Sequence, residues 1–338
     1  MDTLAWLPSL AAFVICFFCS MVGISGAFLL LPLQISLLGL NSPAISATSL
    51  LFNLIAIPAG VYRFWREKRI LWPLALIVVA GTTPGVIAGG FIRLSVFADA
   101  GRFKAFAGCV LLWVGFRMVQ DIVKSRNKVD ASIAHGESSV RVLTLTARDL
   151  VFEFRQRRYR CSPRSIFILS LAVGLVGGIY GIGGGAIIAP FLVAIFGLPV
   201  YTIAGATLLS TFATSVVGVG FYQAVAPFYQ AHGMLVAPDW VLGIRFGLGG
   251  IGGMYLGARA QRFVPARYLK IMLATILLGL SFTYTWSYLR TRPQLWYAAL
   301  LLAMLGLTYL WIGRKHTRQE DKLATQEKAR AAAASKLE

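Results

Sequence analysis

Two apolar runs, each too long for one membrane crossing and each interrupted by glycine, constrain this chain more than any other feature. The first, Leu4–Leu40, holds 37 residues, and the second is Ile166–Leu198. A straight helix of that first length would be about 55 Å long, against a hydrocarbon core of ~30 Å. Inside the second run, Gly178–Pro190 reads GIYGIGGGAIIAP, with Gly178, Gly181, Gly183, Gly184 and Gly185 crowded into eight residues. Glycine costs about 1 kcal/mol against alanine at a helical position, so the run is expected to break there. Backbone freed from a helix at membrane depth survives only where protein buries it or a wet cavity receives it.

A weaker copy, VGISGAFLLLP, lies at Val22–Pro32. With an offset of 158, Gly23 falls on Gly181, Ser25 on Gly183, Gly26 on Gly184 and Pro32 on Pro190. The register continues with Gly39 on Gly197 and with Leu50 and Leu51 on Leu208 and Leu209. Each break leaves a short second piece, Gly26–Gly39 and Gly184–Gly197. Broken apolar segments at matching places in two halves mark the binding site of secondary transporters.

Of the 338 residues, 57% are hydrophobic and 13% charged, with a mean hydropathy of +0.72. Soluble domains carry about 25% charged residues, so the chain reads as a polytopic membrane protein with lipid around it. Its net charge of +19 sits between apolar segments and in the tail, without the pattern a nucleic-acid binder needs. The N-terminus lacks a basic region and a small-residue cleavage site, and is read as a retained segment. Cys16, Cys19, Cys109 and Cys161 form no framework and read as buried small residues.

Further apolar segments are Pro43–Tyr62, Ile70–Ile92, Phe103–Val119, Val200–Ala226, Trp240–Ala258, Leu269–Leu289 and Leu295–Ile312. Arg63, Arg66, Lys68 and Arg69 follow the second segment of the first half, whereas the equivalent loop Ala224–Asp239 has no lysine or arginine. Basic loops stay cytoplasmic, so equivalent loops lie on opposite sides. The expected fold is an all-α polytopic membrane protein of two inverted repeats, each with a glycine-broken first segment plus three full helices. One extra C-terminal helix follows. The divisions are a first membrane repeat (1–122), a basic cytoplasmic linker with a hairpin at Val140–Thr146 and Leu150–Phe154 (123–164), and a second repeat (165–291). An extra transmembrane helix (292–313) and a basic cytoplasmic tail (314–338) complete the chain. One basic loop, Arg93–Lys104, falls outside against the rule. Glycines at steps of four (Gly81, Gly85, Gly89; Gly249, Gly253, Gly257) predict closely packed helices.

The apolar segments contain no aspartate, glutamate or histidine. That argues against a carboxylate proton relay, a metal site or an intramembrane hydrolase, so neither enzyme chemistry nor a cofactor is expected. Hydroxyl and amide groups flank the breaks instead: Ser46, Thr48, Ser49 and Asn53 after the first, Thr202, Thr207, Ser210, Thr211, Thr214 and Ser215 after the second. Exposed N–H groups around Ser25, Gly26 and Ala27, and around Gly183, Gly184, Gly185 and Ala186, carry the positive end of a helix dipole. Two such termini converging would suit a small oxyanion. Serine and threonine in membrane helices also bond to their own i−4 carbonyls. Arg245 either faces the cavity or snorkels to the interface; Gln34 and Gln223 are weaker candidates.

The GIYGIGGGAIIAP stretch, the turn at Gly197, the AGATLLST stretch (Ala204–Thr211) and the packing helix with Gly249, Gly253, Gly257 and Arg259 resemble the TauE/SafE sulfite exporter family. That family is also called the toluene sulfonate uptake permease family. The resemblance covers most of residues 10–290. The first-half copy departs from it at Ser25 and Ala27, and the segment Leu295–Ile312 is additional. The resemblance implies movement of sulfite, sulfoacetate or other organosulfonates across a prokaryotic inner membrane. Export is slightly favoured, because an inside-negative potential drives anions out by about 2.3 kcal/mol per charge at 100 mV. Uptake would need a coupling ion, proton or sodium; a homodimer is a further partner the reading allows. The rivals are an anion channel, a carrier of a non-sulfur organic anion, and a membrane-embedded structural or assembly partner.

Overall fold

The computed structural model describes residues 6–21, 24–37, 42–68, 70–125, 141–146, 149–154, 157–198, 200–260 and 266–291. The helices of the first half are α1 (Leu7–Met21), α2 (Ala27–Leu37), α3 (Ala44–Arg66), α4 (Trp72–Ser95) and α5 (Ala100–Ser125). Those of the second are α6 (Pro163–Tyr180), α7 (Gly185–Phe196), α8 (Val200–Gln230), α9 (Trp240–Ala260) and α10 (Ala266–Thr291). Among the described residues, six helices are long and apolar enough to cross a membrane. The chain is a mostly helical, multi-pass membrane protein. The proposed extra helix Leu295–Ile312 and the basic tail lie outside the described residues.

Both over-long runs are broken where the glycines sit. Gly181 ends α6 in the left-handed region (φ +84°), and Gly183 is also left-handed (φ +81°). A side chain at either position would meet the strain of a Cβ against the backbone. The amides of Gly181 and Ile182 both donate to the Gly177 carbonyl, at 2.8 and 3.1 Å, closing the end of α6. In the first copy Ile24 donates to Cys19 at 3.1 Å, which is the Ile182–Gly177 pair shifted by 158. The chain then reverses. Gly184 returns to Gly174, with room for a Cβ only 3.1 Å from the Gly174 Cα, and Gly26 returns to Cys16, its equivalent. Each broken run is therefore a helical hairpin that turns back on itself.

Glycine also sets the packing between hairpins and full helices. A Cβ on Gly81 would lie 2.7 Å from the Phe167 carbonyl, and one on Gly85 2.7 Å from the Leu175 amide. Further along, one on Gly89 would lie 2.7 Å from the Ile179 amide. Backbone thus touches backbone along α4 and α6, as the step of four predicted. Gly249, Gly253 and Gly257 of α9 meet Ser9, Phe13 and Phe17 of α1 in the same manner. Residue numbers rise together across both contacts, so α4 runs parallel to α6 and α9 parallel to α1. Gly243 against Leu51 and Gly247 against Ile55 make α3 parallel to α9. Thr82 opposite Ser210 and Gly90 against Phe221 make α4 parallel to α8. Helices α1, α3 and α9 therefore run one way, and α4, α6 and α8 the other. At the crossing of α3 and α8, Gly60 faces Leu208 while Gly218 faces Leu50, a pair of contacts that the offset of 158 exchanges.

The linker carries more structure than a hairpin. Strands β1 (Arg141–Leu145), β2 (Leu150–Phe154) and β3 (Arg157–Cys161) form an antiparallel sheet in the order β1-β2-β3. Leu150, Phe152 and Phe154 bury one face, Phe152 stacks on Tyr159, and Arg160 donates twice to the Asp149 carboxylate at 2.8 Å. Burial pushes the Cys161 thiol up to about 11, so it stays protonated and inert at neutral pH. The loop read from sequence as Arg93–Lys104 is shorter than expected. Arg93 lies within α4 and is fully buried, while Arg102 and Lys104 belong to the first turns of α5.

Because a Cβ at Gly85 would strike α6 backbone that cannot swing aside, Gly85→Leu is expected to cost about 3 kcal/mol or more. It should lose the monodisperse peak in detergent size-exclusion chromatography. Gly220→Leu, with nothing within 4 Å, should leave that peak and the melting temperature within about 2 °C of the parent.

Candidate functional site

The two breaks meet through one side chain. Asn53, in the third turn of α3, is fully buried. Its Nδ2 donates to the Ile182 carbonyl of the second break at 3.0 Å, and its Oδ1 accepts from the Ser25 hydroxyl of the first. Ser25 Oγ in turn accepts the Ala27 amide at 3.2 Å, capping the start of α2. One asparagine, supplying donor and acceptor at once, ties the exposed backbone of both hairpins together. Each such bond within a membrane protein contributes roughly 0.6–2 kcal/mol.

Around this link the hydroxyls fall into two groups. Thr211 donates to the Thr207 carbonyl (2.9 Å), Thr207 to Ala204 (3.1 Å) and Thr214 to Ser210 (2.8 Å), so each is satisfied on its own helix. Thr48 donates to Ala44 (2.8 Å) and accepts the Asp239 amide (2.9 Å), which ties α3 to the loop before α9. Its hydroxyl therefore serves the loop. The second group bridges elements: Ser210 shares a hydrogen bond with Thr82 of α4 (3.0 Å), and Gln34 of α2 donates to Ser49 of α3 (3.1 Å). The Gln34 Oε1 is buried and has no partner.

At the second break the glycines lie against α8. A Cβ on Gly183 would sit 2.9 Å from Thr214 Oγ1, and one on Gly185 2.5 Å from Thr211 Oγ1. Among the described residues, the amides of Gly183, Gly184 and Gly185 meet no backbone or side-chain acceptor. The start of α7 thus offers free N–H groups, whereas Ser25 occupies its counterpart at α2. Ser25, Asn53, Ser49, Thr207, Ser210 and Thr211 are all wholly buried; the cluster is closed to solvent in this conformation.

Arg245 stands apart. It is exposed on the first turns of α9, and its carbonyl accepts from Ser9 Oγ at 2.7 Å. A different arginine is internal. Arg93 is fully buried beside Ser46, with its Nε donating to Ser46 Oγ at 3.2 Å, and Ser46 donates on to the Tyr180 carbonyl at 3.4 Å. Sequence reading missed it by ending the apolar segment at Ile92, one residue short; α4 continues to Ser95. Thr82 was missed because it lies in α4, away from either break in sequence.

Comparison with known proteins places this architecture. The profile of the sulfite exporter TauE/SafE family matches residues 9–284. The chain belongs to the TauE/SafE family. A probable membrane transporter protein of Xylella fastidiosa (strain 9a5c) is 25% identical over 255 residues, spanning 74% of this chain and 82% of its own. The probable membrane transporter protein YjnA of Bacillus subtilis is 26% identical over 265 residues, covering 76% and 91% respectively. YunE of the same organism, also a probable membrane transporter protein, is 21% identical over 270 residues. No solved structure matches. The matched span of this TauE/SafE member takes in both hairpins and ends in α10.

Removing the shared amide is the sharpest probe of the link. Asn53→Ala should lower stability in detergent by roughly 1–3 kcal/mol, since it leaves the buried Ile182 carbonyl unpaired. In a double-mutant cycle with Ser25→Ala the two losses should fall short of additivity, as read by thermal unfolding.

Proposed function

We propose that this TauE/SafE member is a secondary transporter that moves a small sulfur-containing anion, sulfite or an organosulfonate, across a prokaryotic inner membrane. The observation that carries this reading is the meeting of two re-entrant hairpins at Asn53. There the free amides of Gly183, Gly184 and Gly185 are surrounded by hydroxyls and by no carboxylate among the described residues. Helix N-termini with close backbone approach suit an oxyanion, and neutral donors release it more readily than an ion pair would. The candidate binding set remains Ser25, Gly26, Ala27, Ser49, Asn53, Gly183, Gly184, Gly185, Thr207, Ser210 and Thr211. Thr48 and Arg245 stand away from it.

The halves act as inverted repeats in this reading. Each helix of α1, α3 and α4 runs opposite to its counterpart in α6, α8 and α9, and equivalent contacts exchange between halves. Trp65 and Trp72 mark one end of the bundle, Trp6 and Trp240 the other, all of them exposed, as belts at two interfaces would be. Arg63, Arg66 and Lys68 put the first of these ends inside. Closure of the cluster to solvent fits an occluded state of an alternating-access cycle, in which the hairpins part from α3 and α8 to one side at a time. A membrane potential then favours export of an anion that needs no co-transported proton.

Cysteine labelling checks the topology. Lys68→Cys should react with membrane-impermeant maleimide only from the cytoplasmic side, and His232→Cys only from the other; labelling of both from one side overturns the inversion. Reconstitution checks the activity. Sulfite flux into proteoliposomes should saturate and show counterflow, whereas resolvable single-channel current would make the protein a channel.

A further inference from the structure

Arg93 presents a buried positive charge for which no described residue supplies a negative partner. The residue has no exposed surface, and among the described residues no carboxylate lies within ion-pair distance of it. Its Nη1 donates to the Phe97 carbonyl, its Nε to Ser46, and the Phe103 ring lies 3.8 Å from the guanidinium carbon. Among the described residues, the Nη2 has no acceptor. Tyr222 of α8, also wholly buried, faces the same guanidinium, and its hydroxyl lies by Ser46 without a well-aligned hydrogen bond. A lone buried cation of this kind costs several kcal/mol unless something compensates it.

Its place in the fold shows what could. Ser46 touches the Tyr180 carbonyl, and a Cβ on Gly181 would lie 2.6 Å from the Ser46 Cα. The guanidinium is therefore one hydroxyl away from the second break. It lies at the end of the bundle where α3 begins and where α4 and α8 end. The other half lacks the arrangement: the positions equivalent to Ser46 and Tyr222 are Ala204 and Phe64, both buried and apolar. Within the described residues, the device belongs to one end only.

We propose that Arg93, with Ser46 and Tyr222, forms an oxyanion-binding site at the mouth of the second break, taking the sulfite or sulfonate group itself. The inference rests on the reading of the chain as an anion carrier. Nη2 and the Tyr222 hydroxyl are the two donors left over, and together they can reach two oxygens of one anion. The rival explanation makes Arg93 a plug for the C-terminal end of α4, where a basic side chain favours the helix dipole. The two differ in what removal does. A plug lowers stability without touching ligand affinity. A binding group leaves the empty protein as stable or more so when a neutral side chain replaces it, and takes anion affinity with it.

Thermal shift with sodium sulfite, methanesulfonate and acetate, titrated on purified full-length protein, decides the matter. The wild type should be stabilised by sulfite and methanesulfonate. Arg93→Met should bind both at least about tenfold more weakly with an unligated melting temperature no lower than the parent's, and Tyr222→Phe should weaken binding severalfold. Wild-type affinity in Arg93→Met overturns the site while leaving the carrier reading intact. Absence of any anion-dependent shift in the wild type removes both. Should Arg93→Met fail to yield folded protein, Arg93→Lys serves: an ammonium cannot make the paired contact, so unchanged affinity there also overturns the site.

Discussion

Everything in this architecture depends on reversing a helix inside hydrocarbon without leaving its backbone polar groups stranded. Lipid offers no replacement for a lost hydrogen bond, so the protein must take up the freed carbonyls and amides itself. At the second hairpin, left-handed Gly181 lets two amides fall back on the Gly177 carbonyl, and Asn53 reaches across from α3 for the Ile182 carbonyl. At the first hairpin, Ile24 repeats the Ile182 bond and Ser25 covers the Ala27 amide. What these leave uncovered are the amides at the head of α7.

The glycine stripes decide which pieces are packed most closely. Along α4 and α6, and along α1 and α9, backbone lies against backbone with no side chain between them. Close-packed contacts of this sort resist sliding, because any shift drives Cα hydrogens and carbonyls into each other. Each hairpin is thereby clamped to a full helix of the opposite half: α6 and α7 ride with α4, α1 and α2 with α9. Across the site, side-chain hydrogen bonds from Asn53, Gln34 and Thr82, each contributing roughly 0.6–2 kcal/mol, add to the close packing of Gly183 and Gly185 on α8.

How much of this the residues announce varies with the kind of signal. The breaks, the repeat and the glycine grooves were legible because each follows from a local rule: glycine destabilises a helix, and small residues at steps of four make a groove. The reversal of direction at each break was legible only through loop charge, since the same glycines permit a kink or a turn-back; the contact between Gly184 and Gly174 shows the turn-back directly. The roles of the hydroxyls were hidden for a similar reason. Thr48 and Ser49 are adjacent in the chain, yet about 100° of helical rotation sends one to the loop at Asp239 and the other to Gln34. Strand β3 escaped notice because Arg157, Arg158 and Arg160 read as a solvated charge run, although Tyr159 stacks on Phe152 between them. Arg93 was taken for a loop charge because hydropathy falls at an arginine whether the helix ends there or not.

Under the proposed carrier reading, that last residue would alter the electrostatics of the site. A site built only of amides and hydroxyls would couple closing to occupancy weakly, because each unpaired neutral donor costs only about 1–3 kcal/mol. With a guanidinium buried beside the second break, the empty closed state carries an uncompensated charge, and its desolvation weighs against closure by several kcal/mol. An anion that accepts from Nη2 offsets this penalty only while it is bound. Closing is then coupled to occupancy, which is what separates a carrier from a leak: the loaded protein changes face readily and the empty one reluctantly. It also accounts for a charge kept where an apolar side chain would pack at lower cost.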